Sequence, residues 1–369
     1  MRGGVAPLVG LSGALALVAL ALPAVRGGAT VLASPPLALA AAALIVCAVA
    51  ATAMARLTIP AAAIAAHLAA WLLIGALPQV TGSAGSGFWL LVVAAWLAAW
   101  RLADALSALS PRERMLQRAI DIAVPLLFGL WVLILWELVV RGLAVPRVLL
   151  PSPGEIWLRM TGSVPILWAD FRQTFLRAVL IGYALGCGAG FIVAILVDRV
   201  PFLRRGLLPI GNLVSALPIV GIAPIMVMWF GFDWPSKAAV VVVMTFFPML
   251  VNTVAGLAAA GAMERDLMRT YAAGYWQTLM KLRLPAALPF IFTALKINST
   301  LALIGAIVAE FFGTPIVGMG FRISTEVGRM NIDMVWAEIA VAALAGSAFY
   351  GLVALVERAF TFWHPSYRS

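Results

Sequence analysis

The chain has 369 residues, 64% of them hydrophobic and only 11% charged, with a mean hydropathy of +1.05. That composition excludes an ordinary soluble domain and places the chain among polytopic membrane proteins, whose backbone groups must be satisfied inside helices or a closed barrel. The net charge of +10 is an arginine excess of the kind the positive-inside rule produces, so it gives no reason to invoke nucleic acid.

Apolar runs of about 20 residues predict helices, because barrel strands alternate over about 10. Ten spans are expected, near 6–25, 35–55, 60–78, 87–107, 121–140, 174–197, 206–230, 237–257, 288–311 and 335–357. Residues 1–26 have the basic start and apolar stretch of a signal peptide but no clear small-x-small cleavage site, so a retained first span is expected. The first four spans are rich in Ala and Leu and hold little chemistry. The polar, basic stretch Ser107 to Arg118 is the expected module boundary, giving an N-terminal four-helix extension over 1–110 and a second module over 115–369.

Further along, Leu149-Leu-Pro-Ser-Pro-Gly154 predicts a turn, followed by an amphipathic piece carrying Trp157 and Trp168. Gly182, Gly186 and Gly190 repeat every four residues, which lines one helix face for close approach of a neighbour. Pro218 and Pro224 are expected to kink the 206–230 span. With the N-terminus inside, 15 Lys and Arg residues fall in inside segments and eight outside, which puts both termini in the cytoplasm.

Catalytic constellations are missing. The three lysines, Lys237, Lys281 and Lys296, do not follow the glycine spacing of a P-loop, and no HExxH or GxSxG occurs. Cys47, Cys187, His67 and His364 are isolated and lack metal spacing. Any energy source must be an ion gradient or another chain. Glu310 lies near the end of its span, where it can serve as a structural salt bridge or a gate, and Lys296 is expected to snorkel to the interface. Asn212, Ser215, Asn252, Asn298 and Ser299 read as interhelical hydrogen-bonding groups before substrate ligands, and Met226, Met228, Trp229 and Phe230 as packing.

Between Met263 and Pro289 the apolar pattern gives way to an amphipathic stretch carrying Glu264, Arg265, Asp266, Arg269, Lys281 and Arg283. Leu267, Met268, Tyr271, Tyr275, Leu279 and Leu282 recur at steps of three or four, as one helix face requires. Such a helix can lie flat on lipid or set its apolar face in a partner's groove, and the pattern alone does not choose.

This loop resembles the EAA loop of the inner-membrane permease subunits of bacterial ABC importers. Anchored on Leu284-Pro285, the aliphatic position of that motif falls on Leu282, its glycine on Ala272, and its Glu-Ala-Ala on Asp266-Leu267-Met268. The chain departs from the motif at Ala272, with a glycine two residues later at Gly274. Leu150-Pro-Ser-Pro153, Thr174-Phe-Leu-Arg177, Ala216-Leu-Pro218, Ala223-Pro224, Trp229-Phe-Gly231, Phe247-Pro248, Val251-Asn-Thr253, Ala309-Glu-Phe-Phe-Gly313 and Trp363-His-Pro365 look like the same family, in the branch of nitrate, taurine, alkanesulfonate and pyrimidine-type thiamine-precursor permeases. The likeness covers about 115–369.

The resemblance implies an all-α, six-helix type I importer core beside the four N-terminal helices, and a bacterial inner-membrane location. It implies a permease dimer, expected to be a homodimer, a separate ATP-binding subunit that holds ATP and magnesium, and an external solute-binding protein. It gives this chain no cofactor, metal or catalytic residue. The coupling loop would span 262–287, with Glu264, Arg265, Asp266, Leu267, Met268, Arg269, Tyr271, Ala272, Gly274, Tyr275, Leu284 and Pro285 at the ATPase. Leu284-Pro285 and Leu288-Pro289 would end its helix. Ser215, Pro218, Met226, Asn252, Asn298 and Glu310 are the pathway candidates. Ala294-Leu-Lys-Ile-Asn298 followed by Thr300 to Val308 looks most like permeases of pyrimidine or flavin-type vitamin precursors, against sulfonate, taurine or nitrate. The competing class is an ion-coupled secondary transporter, which should show repeated halves with interrupted helices, and no internal repeat is seen. A membrane-embedded enzyme ranks third.

Overall fold

The computed structural model describes residues 6–53, 58–215, 218–313 and 316–363. Apart from two isolated β-bridges, every regular element among them is helical. In chain order these are α1 (Ala6–Ala21), α2 (Pro35–Ala53), α3 (Thr58–Val80), α4 (Ser86–Ser107), α5 (Arg114–Gly142), α6 (Pro153–Gly162) and α7 (Val164–Arg199). They continue as α8 (Pro201–Ser215), α9 (Ile219–Phe230), α10 (Trp234–Ala258), α11 (Ala262–Thr270), α12 (Tyr275–Glu310), α13 (Met319–Gly328) and α14 (Ile332–Phe360). Helices α3, α4, α5, α7, α10, α12 and α14 are long and apolar enough to cross a membrane, and α1, α2 and α9 hold shorter apolar stretches.

The chain divides into two compact units, Met1–Leu158 and Arg159–Ser369. In the first, α1 to α4 interlock through buried alanines such as Ala16, Ala40, Ala66 and Ala95, whose small side chains let helix backbones approach closely. Helix α5, which the motifs assign to the 115–369 module, packs within this first unit on α3 and α4, burying Trp131 and Leu138. Glu137 of α5 accepts the Gly154 N–H at 2.8 Å. Ser152 and Glu155 close a reciprocal capping box at the start of α6, which explains the Leu-Pro-Ser-Pro turn.

In the second unit α10 packs against both α7 and α12. The glycine repeat is the seam between α7 and α10. A Cβ on Gly186 would lie 2.1 Å from Thr245 Oγ1, and one on Gly190 would lie 2.5 Å from the Phe246 carbonyl oxygen. Midway along the bundle, Asn298 of α12 donates to the Thr245 carbonyl at 2.8 Å and to Cys187 Sγ at 3.2 Å, pinning three helices at one level.

Three expectations are corrected here. The 206–230 span is not one kinked helix: α8 stops at Ser215 and α9 starts at Ile219, with Pro218 as its N-cap. Pro218 itself has extended backbone, with ψ at 125°, so the span is interrupted there and not merely kinked. The Leu-Pro steps do not end a helix either, since α12 runs through Pro285 and Pro289 to Glu310. A widened π-turn at Leu279–Arg283, in which the Leu284 N–H reaches back to the Leu279 carbonyl, takes up the change in hydrogen bonding just before Pro285. Lys296 does not simply snorkel, because it pairs with Glu357 of α14 at 2.6 Å.

The seam makes a direct prediction. Gly190→Ala meets backbone that cannot rotate away, so it should destabilise the fold by about 1–3 kcal/mol, while Gly188→Ala, with open space around its Cβ position, should be neutral. Thermal unfolding of the two variants in detergent checks the difference.

Candidate functional site

Helix α11 has no buried residue. Met263, Leu267 and Tyr271 follow at steps of four and are 83%, 56% and 78% exposed. Met263 and Leu267, with Tyr271 at the C-cap, form an exposed apolar stripe beside Glu264, Arg265, Asp266 and Arg269. Glu264 and Asp266 point to the surface, Arg265 is half-buried, and Arg269 pairs with Asp266 at 3.2 Å in an exposed i,i+3 contact of little energetic weight.

The predicted single helix over 264–281 is two helices. The chain turns at Tyr271–Gly274, and Ala272 carries it there with a left-handed φ of 54°. The Ala272 N–H bonds the Arg269 carbonyl at 2.9 Å and the Ala273 N–H bonds the Met268 carbonyl at 3.0 Å, the paired closure of a Schellman C-cap. The glycine expected by the EAA motif is therefore a backbone requirement at position 272, which alanine meets here at some strain. Gly274 does not take over that task. Its φ is −69°, and it serves as the N-cap of α12, where its N–H donates to Gln277 Oε1 at 3.1 Å.

Beyond the turn, α12 is fastened to the rest of the unit. Arg283 donates two hydrogen bonds to Asp198 near the end of α7, at 2.6 and 2.7 Å, and a third from Nε to the Leu257 carbonyl at the end of α10, at 2.9 Å. Tyr275 donates its hydroxyl to the same Asp198 at 3.1 Å. The Arg199 guanidinium lies over the rings of Tyr275 and Trp276, at 5.4 and 5.7 Å. Arg283 and Asp198 are both largely shielded from solvent, and Leu279 beneath them is buried. Three helix ends meet on one guanidinium beside the exposed α11. Sequence reasoning counted Arg283 as a loop charge and passed over Asp198; the signal was an acid closing an apolar run in Val197-Asp198-Arg199.

The pathway candidates separate. Met226 lines an apolar groove of roughly 500 Å³ among α7, α9 and α10, with Ile181, Leu185, Trp229, Phe230 and Trp234. Pro218 caps α9. Asn252 donates to the Pro248 carbonyl at 2.8 Å within α10. The Ser215 side chain lies outside the described residues, as does His364. Asn298 and Glu310 are buried inside the unit and do not line the groove around Met226. A separate cavity of about 340 Å³ in the first unit, between α4 and α5, is lined by Trp96, Trp100, Phe128 and Trp131.

At the far end of α12, Asp233 precedes α10, and its carboxyl is held below the usual carboxylate range, first by the Trp234 N–H and then by the Gln173 amide. No group of three or more His, Cys, Asp or Glu residues among those described could hold a metal.

The described residues form a helical protein with seven helices long and apolar enough to cross a membrane. Residues 185–362 match the model of the family described as binding-protein-dependent transport system inner membrane component. The chain is 31% identical over 248 residues to the formylaminopyrimidine transport permease protein of Halalkalibacterium halodurans, covering 67% of this chain and 98% of that one. It is 30% identical over 269 residues to the riboflavin transport system permease protein of Chloroflexus aurantiacus, covering 71% and 98%. It is 29% identical over 239 residues to the putative aliphatic sulfonates transport permease protein of Bacillus subtilis, covering 64% and 86%.

The chain belongs to this family: it is the multi-pass inner-membrane permease component of an ABC importer. It is a transport component and not a catalyst, and the ion-coupled alternative falls away. Membership implies an ATP-binding subunit and a solute-binding protein as partners.

Two outcomes test the α11 end. Arg283→Ala leaves Asp198 shielded and unpaired, so it should destabilise the chain by roughly 3–5 kcal/mol, and Asp198→Asn combined with it should recover part of that loss, as read by chemical unfolding. Ala272→Gly relieves a left-handed residue and should be neutral or stabilising by up to about 1 kcal/mol, whereas Ala272→Val should loosen the turn. Hydrogen exchange at the Ala272 and Ala273 amides distinguishes the two.

Proposed function

We propose that the chain forms the translocation pathway for a small heteroaromatic solute of the pyrimidine or flavin vitamin-precursor kind, and that α11 and its turn are the ATPase-coupling element. The observation that carries the coupling reading is the exposed α11 stripe, followed in the chain by the Arg283 joint. An apolar helical stripe at i, i+4 and i+8 is what a groove in a partner accepts, and a partner's closing motion applied there acts on the ends of α7, α10 and α12 together. Glu264, Arg265, Asp266, Leu267, Met268, Arg269, Tyr271, Ala272, Gly274 and Tyr275 make the contact surface, and Leu284-Pro285 the rigid start of the span.

In this reading α11 and both termini are cytoplasmic, in accord with the charge bias. Ten spans cross the membrane as a four-helix extension over 1–110 and a six-helix core over 115–369, and two copies build the pore. ATP and magnesium bind in the partner subunit. Met226 and Pro218, with Ser215 and Asn252, flank the pathway, while Asn298 and Glu310 act on it from within the helix packing. The substrate class is supported by the two relatives named for formylaminopyrimidine and riboflavin, each covered over 98% of its length. Sulfonate, taurine and nitrate are the other candidates in this branch.

Reversing Arg265 and Arg269 to Glu should release the ATP-binding subunit from the purified complex while leaving the permease folded. Retention of that subunit and of ATP-driven uptake by the double variant contradicts the assignment. For the solute, vesicle uptake measured with a formylaminopyrimidine, riboflavin and taurine in turn should show transport of a ring compound; uptake of taurine alone rejects the ring class.

A further inference from the structure

At the end of α12 remote from α11, buried charges are spent on backbone groups. Glu310, the last residue of α12, accepts from Thr174 Oγ1 at 2.8 Å and from the Gly320 N–H at 2.7 Å. Thr174 Oγ1 in turn accepts the Met319 N–H at 2.8 Å. Asp170 of α7 accepts the Gly318 N–H at 2.6 Å and Arg322 Nε at 2.9 Å. The first-turn donors of α13 are thus held by two different helices, and the carboxylates sit where a helix N-terminus favours negative charge. Lys237 of α10, also buried, donates to the Phe232 carbonyl at 2.6 Å and to the Gly313 carbonyl.

Lys237 thus holds Gly313 just after α12, and Asp170 holds Gly318 just before α13. Both glycines have a positive φ, 141° and 144°, and a Cβ at Gly318 would lie 2.8 Å from the Glu310 carboxyl atoms. Apolar packing of equal volume would stabilise a static end as well or better, since buried ion networks lose much of their attraction to desolvation. Directional bonds suit an end that must exchange two arrangements. Thr174 also lies in the π-helical turn Arg172–Val179 of α7, a kind of local widening that is frequent at functional sites.

We propose that Asp170, Glu310 and Lys237 form a latch that holds Gly313 and the first turn of α13 to the ends of α7, α10 and α12, and that the latch releases when the pathway opens at that end. Glu310 and its partners are positioning residues, acting on the helix ends without touching solute. The proposal rests on the importer reading, in which this end faces the solute-binding protein.

The test is hydrogen exchange at the Gly318, Met319 and Gly320 amides in the full complex of permease, ATP-binding subunit and solute-binding protein in nanodiscs. These amides should be protected at rest and exchange at least about tenfold faster when vanadate traps the complex, the shift that loss of one charge-assisted bond allows. Glu310→Gln should show the faster exchange at rest, with raised basal ATP hydrolysis in the absence of binding protein. If that variant does not fold, the wild-type comparison stands alone. Equal protection in resting and trapped complexes that carry out ATP-driven uptake overturns the latch. Absence of ATP-driven uptake in the wild-type complex overturns the importer reading instead.

Discussion

The Arg283–Asp198 pair is the joint on which the rest of this permease's second unit depends. A guanidinium presents several donors in a fixed fork, so one side chain satisfies a carboxylate twice and still reaches a carbonyl. Here those acceptors belong to α7 and α10, while the guanidinium itself is rooted in the π-turn of α12. Removing it would strand a shielded carboxylate, and replacing it with lysine would keep the charge but lose the fork. The exposed α11 and its turn precede Arg283 of this joint in the chain, which is why the proposed coupling reading starts from it.

The opposite end repeats the principle with the signs exchanged. There, carboxylates on α7 and α12 hold backbone donors of α13, and a lysine holds backbone carbonyls. In both places a π-helical turn carries or adjoins the residues that make the bonds: Arg172–Val179 in α7 and Leu279–Arg283 in α12. Between them lies rigid packing. There the glycine seam brings α7 close against α10, and Asn298 ties α12 to both. Hydrogen-bonded ends thus flank a closely packed middle.

Much of this was legible in the sequence because the membrane imposes simple rules. Long apolar runs gave the helices, the four-residue glycine repeat gave the α7 seam, and a charged interruption marked the exposed α11. What escaped has a common physical cause: the sequence shows a residue's own preference but not its partner. Asp198 and Asp170 look like ordinary acids at the margins of spans until Arg283 and the first turn of α13 are brought to them. Proline offered no help in choosing between a break at Pro218 and continuation through Pro285, since the outcome depends on whether a neighbouring turn can widen. Ala272 was marked as a departure from glycine, yet only the backbone showed that the left-handed conformation stayed at that position and did not move to Gly274.

The central claim is that the α11 stripe meets a protein groove and not lipid. A photoreactive side chain in place of Leu267, tested in intact membranes that express all partners, asks this directly. The account predicts a crosslink to the ATP-binding subunit whose yield changes between nucleotide-free and vanadate-trapped states. Crosslinking to phospholipid alone, unaffected by nucleotide, would contradict it.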